Sequence, residues 1–270
     1  KGVGCSRHGA APPPLRRRAR RRSFLGAAGR MGSAVCEAVG TDPETTLFAA
    51  IDEHGVGEEV SNSGILISNK FSDLEGADVV VDFTVASSSR DNLRNVANMG
   101  IHAVVGTTGL TESDLKDLKD SFTDSNCLIA ANFAISAVLM MRFSEIAAPF
   151  FENVEIIEYH HNSKVDAPSG TALNTAERIG AISSTWKEDP TQKDLLGSSR
   201  GGTTEDGISI HSVRMEGMVA HQDVIFGTTG QTLTIRQDSY DRSSFMPGVL
   251  LAVKKINDYQ GVTIGLEAFL

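Results

Sequence analysis

A two-domain α/β fold with a parallel sheet in its first domain is predicted for this 270-residue chain by three features. Short β-branched runs alternate with apolar residues at helical spacing through the first half of the chain. A glycine-rich turn, Gly26-Ala-Ala-Gly-Arg-Met-Gly32, leads into a helix pattern. Polar residues close one strand pattern after another, and in an open parallel sheet such turns gather at one edge, where ligands bind.

The formal charge is −9, yet residues 1–32 hold nine basic residues and no acidic one. The run Arg16-Arg-Arg-Ala-Arg-Arg-Arg22 after Pro12-Pro-Pro14 has no apolar residue with which to build a core, so residues 1–22 are expected to be disordered and outside the sheet. A targeting segment or a misread upstream sequence accounts for such a run, and the second is favoured. Only Ser23-Phe-Leu25 remains to form a strand before the glycines, and that strand is expected to be imperfect.

The glycine run continues into Ala34, Val35, Ala38 and Val39, a helix, and then a strand at 46–51 ending in Asp52. Glycines let the backbone approach a pyrophosphate, the helix N-terminus stabilises its charge, and an acid some twenty residues on is placed for a ribose hydroxyl. Turn glycines alone are commoner than such sites; Asp52 at the end of the next strand favours a dinucleotide. Strands at 78–83, 101–105 and 127–131 follow, each closed by a polar turn, with Leu93, Val96 and Ala97 marking an intervening helix.

A second, smaller α+β domain is expected from Ala134. It opens on an Ala- and Met-rich helix at 135–150, continues through a strand at 154–158, and carries a polar surface excursion at 183–207. Strands at 207–215, 221–227 and 231–237, separated by glycine turns, point to a largely antiparallel sheet. An apolar helix closes the pattern at 244–256.

The most informative segment lies between the strand at 154–158 and a helix opened by Pro168-Ser-Gly-Thr171 and marked by Ala172, Leu173, Ala176 and Ile179. The N–H groups of Gly170 and Thr171 at that helix N-terminus suit a carboxylate or phosphate, and Lys164 adds a positive charge. His160 or His161 offers a group that holds or gives a proton near neutral pH. A pair of histidines is often no more than a polar loop, and a lone lysine is usually solvated. A metal site is disfavoured, because adjacent imidazoles do not easily share one ion and no further ligand has the right spacing.

Composition narrows the class. No apolar run reaches the ~20 residues needed to span a bilayer, and the acidic body argues against nucleic acid. Cys5, Cys36 and Cys127 form neither a disulfide framework nor a zinc pattern, which suits a reducing, cytoplasmic compartment.

The run at 158–172 closely resembles the signature of the 4-hydroxy-tetrahydrodipicolinate (dihydrodipicolinate) reductase family, E-x-H-H-x-x-K-x-D-A-P-S-G-T-A, with every fixed position present. The resemblance extends from 24 to 269 through GAAGRMG at 26–32, VDFT at 81–84, HAVVGTTG at 102–109 and AANFAISAVLMM at 130–141. HSVRMEGMVAHQDVIFG at 211–227 and LTIRQDSYDRSSFMPGVLLAV at 233–253 look most like the actinobacterial branch. It implies a Rossmann-like dinucleotide domain at 23–133 and 243–270, made discontinuous by the returning last helix. It also implies a substrate-binding and tetramerisation domain at 134–242.

By the same resemblance, Gly26, Ala27, Ala28, Gly29, Arg30, Met31, Asp52, Gly106, Thr107, Thr108, Ala130, Ala131, Asn132 and Phe133 contact NADH or NADPH. His160 matches a proton donor/acceptor, Lys164 a proton donor, and His161, Gly170 and Thr171 hold a cyclic dicarboxylate. The implied reaction reduces 4-hydroxy-tetrahydrodipicolinate, through its dehydrated form, to tetrahydrodipicolinate in lysine and diaminopimelate biosynthesis, within a homotetramer. Two other readings carry tests of their own. A related NAD(P)-dependent enzyme for another amino-dicarboxylate is separated by a substrate panel, and a catalytically dead dinucleotide-binding or assembly protein, suggested by the missing first strand, by cofactor binding.

Overall fold

The computed structural model describes residues 20–197 and 199–270. The first half runs β1 (Arg20–Leu25), α1 (Arg30–Thr41), β2 (Thr45–Ile51), the two-residue β3 (Ile67–Ser68), β4 (Val79–Asp82), α2 (Ala86–Asn98), β5 (His102–Val105), α3 (Glu112–Ser121) and β6 (Cys127–Ile129). Next come α4 (Ile135–Ala147), β7 (Asn153–His160), α5 (Gly170–Ile182), β8 (Gly202–Thr203), β9 (Ser209–Arg214), β10 (Ala220–Thr228) and β11 (Gln231–Ser239). The chain closes with α6 (Met246–Lys255) and β12 (Val262–Ile264).

Seven strands form one sheet in the order β12-β6-β5-β4-β1-β2-β3, and every pairing is parallel. Because side chains alternate across a strand, Val79 and Val81 of β4 pack with Val35 and Val39 of α1 and Val249 and Val253 of α6 on one face. Val80 packs with Leu93 and Val96 of α2 and Leu118 of α3 on the other. Full burial of each such side chain contributes about 1.5–3 kcal/mol. α3 also carries a capping box, in which the Thr111 side chain accepts from the Asp114 N–H and Asp114 accepts from the Thr111 N–H. That helix is not among the elements predicted above, although Thr111-Glu-Ser-Asp114 spells its start.

The second sheet has the order β11-β10-β7-β9-β8. Its pairings are antiparallel except for β7 with β9, where α5 provides the crossover that a parallel pair needs. α4 packs against α5 and β11, and α5 against β7. The helix expected at 135–150 ends at Ala147 and tightens into a 3-10 turn over Ala148–Phe150, which contains Pro149. α6 returns to α1, and β12 extends the larger sheet beyond β6.

The expectation that residues 1–22 lie outside the sheet is corrected at its end; residues 1–19 lie outside the described residues. Arg20–Arg22 form the first half of β1, between β2 and β4 at the centre of the sheet. Arg21 stacks its guanidinium 5.1 Å from the Phe48 ring centre and donates its backbone N–H to Asp78. Arg22 is fully buried, and its Nη2 donates to the Val253 carbonyl at 3.0 Å. The register slips between Arg22 and Ser23, where β2 fits Phe48 in as an extra residue. Charge is tolerated here because the guanidinium has a backbone acceptor while its aliphatic stem fills apolar space.

If volume rather than charge is what this site requires, Arg22→Leu should leave the unfolding free energy within about 1 kcal/mol of the parent. Arg22→Ala should lower it by about 2–4 kcal/mol through the cavity it opens. Urea unfolding reads both, and equal losses would show that the guanidinium hydrogen bonds carry the stability.

Candidate active site

The carboxyl edge of the larger sheet gathers the loops after β1, β2, β4, β5 and β6. After β1 the chain turns at Gly26, whose φ of +84° lies in the region that favours glycine. A Cβ on Gly32 would lie 2.0 Å from the Gly26 carbonyl oxygen, so the helix approaches the turn only because Gly32 has no side chain. α1 is capped by Gly29 with no side-chain hydrogen bond and has no acidic residue in its first turn. Its N-terminal N–H groups are therefore available to an anion, with Arg30 exposed at the first helical position. Asp52 accepts from the Ala28 N–H at 3.0 Å through one carboxylate oxygen and from the His54 N–H at 2.9 Å through the other. A glycine cradle, an open helix N-terminus and a carboxylate after β2 fit a dinucleotide.

Asp82, buried at the end of β4, accepts from the Thr84 N–H and from the hydroxyls of Thr84, Ser89 and Thr107. One carboxylate thereby holds the turns after β4 and β5 together. Phe83 and Phe133 pack with ring centres 5.8 Å apart beside the loop after β6. Asn132 accepts from the Ala134 N–H and reaches Thr171 Oγ1 at 3.4 Å, linking this edge to the start of α5.

The second half of the site is built on β7. The strand extends to His160, beyond the end expected at 158, so Glu158 and His160 project from the same face. Glu158 is fully buried. Arg214 grips it with both terminal nitrogens, at 2.9 and 2.7 Å, while His160 Nδ1 lies 2.5 Å away and the Ser169 N–H donates at 3.2 Å. Burial alone would raise the Glu158 carboxyl, but hydrogen bonds from Arg214, Ser212 and His160 and the Arg214 charge hold it below the usual carboxylate range.

Burial is also the largest influence on His160 and pushes its imidazole below the ordinary value, aided by Lys164 and Arg214 and opposed by Glu158. Lys164 Nζ contacts both carboxylate oxygens of Asp166 at 2.7 and 2.8 Å, and these hydrogen bonds hold Asp166 below its ordinary range. Ser169 caps α5 by accepting from the Ala172 N–H, which leaves the N–H groups of Gly170 and Thr171 at the helix mouth.

A cavity of about 320 Å³ joins the two halves, with Thr108, Ala131 and Asn132 on one side and His160, Lys164, Gly170 and Thr171 on the other. A larger cavity of about 650 Å³ adjoins it through the same polar turns and carries Thr107 and Ala130. Gly26–Met31 and Asp52 stand further along the sheet edge. His161 is the exception. It is exposed and paired with Ser163 through Nδ1 at 2.7 Å, outside this cavity. Glu158, Arg214 and Asp82 are absent from the residues predicted from sequence. The E-x-H alternation already places Glu158 beside His160, whereas Arg214, 56 positions from Glu158, has no local signal.

A glycine-cradled parallel sheet facing a cationic, proton-bearing pocket defines a dinucleotide-dependent oxidoreductase. Comparison with known proteins makes the class particular. The family model "Dihydrodipicolinate reductase, N-terminus" matches residues 23–133, and "Dihydrodipicolinate reductase, C-terminus" matches 136–270. The chain belongs to the dihydrodipicolinate reductase family. A 4-hydroxy-tetrahydrodipicolinate reductase from Corynebacterium urealyticum is 49% identical over 91% of this chain and 96% of its own. One from Mycobacterium sp. strain KMS is 45% identical over 91% and 97%. The dipicolinate-bound dihydrodipicolinate reductase from Paenisporosarcina sp. TG-14 superposes with a TM-score of 0.86 at 35% identity, over 94% of this chain and all of that one.

The depressed His160 sets a testable stability profile. Between its folded pKa and the ordinary 6.5, the unfolded chain binds a proton that the native state does not. Its contribution is therefore intact above 6.5 and declines as pH falls towards the folded pKa. The parent should lose stability in that window relative to His160→Gln, measured by urea unfolding at stepped pH. Parallel curves for the two proteins would contradict it.

Proposed function

We propose that this chain uses the two faces of the joined cavity to bring a reduced nicotinamide against a cyclic dicarboxylate. The reaction is the reduction of 4-hydroxy-tetrahydrodipicolinate, through its dehydrated conjugated imine, to tetrahydrodipicolinate in lysine and diaminopimelate biosynthesis. The observation that carries this reading is the meeting of Thr108 and Asn132 with His160, Lys164 and the N-terminus of α5 around one cavity. When bound, the nicotinamide supplies the hydride that no side chain can.

Gly26–Met31, Asp52, Gly106–Thr108 and Ala130–Phe133 hold the cofactor in this reading, and Arg30 faces its phosphates. Gly170 and Thr171 offer backbone N–H groups to a substrate carboxylate, and His161 joins them after its ring leaves Ser163. Lys164 gives the proton that quenches the charge left by reduction, and His160 gives or accepts one beside it. Residues 23–133 with 243–270 form the cofactor unit and 134–242 the substrate unit. Asp52 disfavours a 2′-phosphate, so NADH is preferred, with NADPH also accepted.

No helix among the described residues is long and apolar enough to cross a membrane, and a cytoplasmic place suits this biosynthetic step. The face of the smaller sheet opposite α4 and α5 carries Tyr159, Asp223, Arg236, Asp238 and His221 in one hydrogen-bonded network. That face is the assembly surface of a homotetramer, which sedimentation would read.

A coupled assay with enzymatically made substrate and each cofactor in turn tests the reading. Lys164→Ala should lower turnover at least roughly a hundredfold while dinucleotide affinity barely changes; turnover within a few-fold of the parent would remove Lys164 from the chemistry. Asp52→Ala should weaken NADH binding and narrow or invert the preference over NADPH. Unchanged affinity for both cofactors would assign ribose recognition to another group.

A further inference from the structure

The chemistry above leaves the buried Glu158 carboxylate, next to the reacting ring in the proposed reading, without a role. Glu158 is fully buried and receives Arg214 Nη1, Arg214 Nη2, His160 Nδ1 and the Ser169 N–H on its two oxygens. An ionised carboxylate can only accept, so at 2.5 Å the proton between it and His160 resides on Nδ1. Nε2 is then the nitrogen with a free lone pair, on a ring that lines the cavity. The Ser169 N–H held by the same carboxylate belongs to the residue that caps α5, and Arg214 Nη2 also donates to the Asp166 carbonyl at 2.8 Å. Both ends of the loop carrying Lys164 therefore lead back to one carboxylate.

We propose that Glu158, gripped by Arg214, is a positioning residue for the reduction: it fixes the tautomer and orientation of His160 and, through Ser169, places the α5 mouth against the same ring. The inference rests on the role given to His160 above. A buried ion pair is weak evidence for a stabilising purpose, since an apolar pair often does as well. What an apolar pair cannot do is hold a proton on Nδ1. The charged groups around the ring are Glu158 on its own strand, Lys164 and Asp166 on the following loop, and Arg214 on β9. Of those acting on its proton affinity, Glu158 raises it while Lys164 and Arg214 lower it.

The test uses the full chain and compares the parent with Glu158→Gln and His160→Gln. Histidine-selective 15N NMR reads the tautomer and titration of His160, steady-state kinetics read kcat and the pH profile, and dinucleotide affinity reports an intact fold. In the parent, His160 holds one Nδ1–H tautomer through neutral pH. In Glu158→Gln, both tautomers should appear, the ring should titrate at lower pH, the acid limb of the profile should move with it, and kcat should fall at least about tenfold, the scale of losing an outer hydrogen-bonding partner.

Should Glu158→Gln fail to fold, Glu158→Asp keeps a counter-charge for Arg214 while withdrawing it from Nδ1, and the same spectroscopic and kinetic changes are expected. If His160→Gln turns over within a few-fold of the parent, the role of His160 is wrong and the inference falls with it. If His160→Gln is impaired but the Glu158 variants keep the parent's tautomer, titration and kcat, that role stands and the positioning assignment is overturned.

Discussion

All seven strands of the larger sheet run in one direction, so each connection must travel back along a face before the next strand can begin. Every strand therefore delivers its last residue to the same edge. This constraint brings Gly26, Asp52, Thr84, Thr107 and Asn132 together from positions spread over more than a hundred residues. None of these side chains needs an attraction to the others. The helices returning along the faces supply the apolar cover that makes the arrangement stable, and Asp82 then ties the turns of two neighbouring strands with hydrogen bonds.

The smaller sheet works by the opposite logic. Its antiparallel hairpin β10–β11 is local, and its one parallel pair, β7 with β9, encloses the site loop and α5. That crossover fixes where the side chains of the pocket stand. β7 places Glu158 and His160 two residues apart on one face, β9 brings Arg214 alongside His160, and α5 starts where the intervening loop must end. The two halves touch through Asn132 and Thr171, which makes the cavity between them a product of both sheets.

Much of this was legible in the sequence because it depends on local rules. Alternation of β-branched runs and helical spacing marked β2, β4, β5, β6 and their edge, and the glycine run identified the turn that α1 approaches. The signature at 158–172 placed His160, Lys164, Gly170 and Thr171 in one segment, and they do share a cavity. The remainder depends on contacts between distant residues. Arg22 has no apolar character to announce a central strand; its acceptor is the Val253 carbonyl, more than two hundred residues away. Arg214 likewise reads as one arginine in a strand until the register sets it beside His160. β3, β8 and β12 are too short to carry a periodicity of their own, and His161, adjacent to His160 in sequence, lies just past the end of β7, where its ring turns to Ser163.

The last twenty-five residues complete a structure begun at β1. α6 covers the face on which α1 lies, Val253 receives the Arg22 guanidinium, and β12 closes the open edge of β6 through Gly261 and Gly265. A ribosome makes these parts in the opposite order to their need. Until residues 246–264 have emerged, the growing chain carries an unpaired strand edge and an uncovered apolar face, both of which invite association with other chains. The half built on the larger sheet can therefore close only after these residues are made, and the half built on the smaller sheet, whose last strand ends at Ser239, has the opportunity to form first.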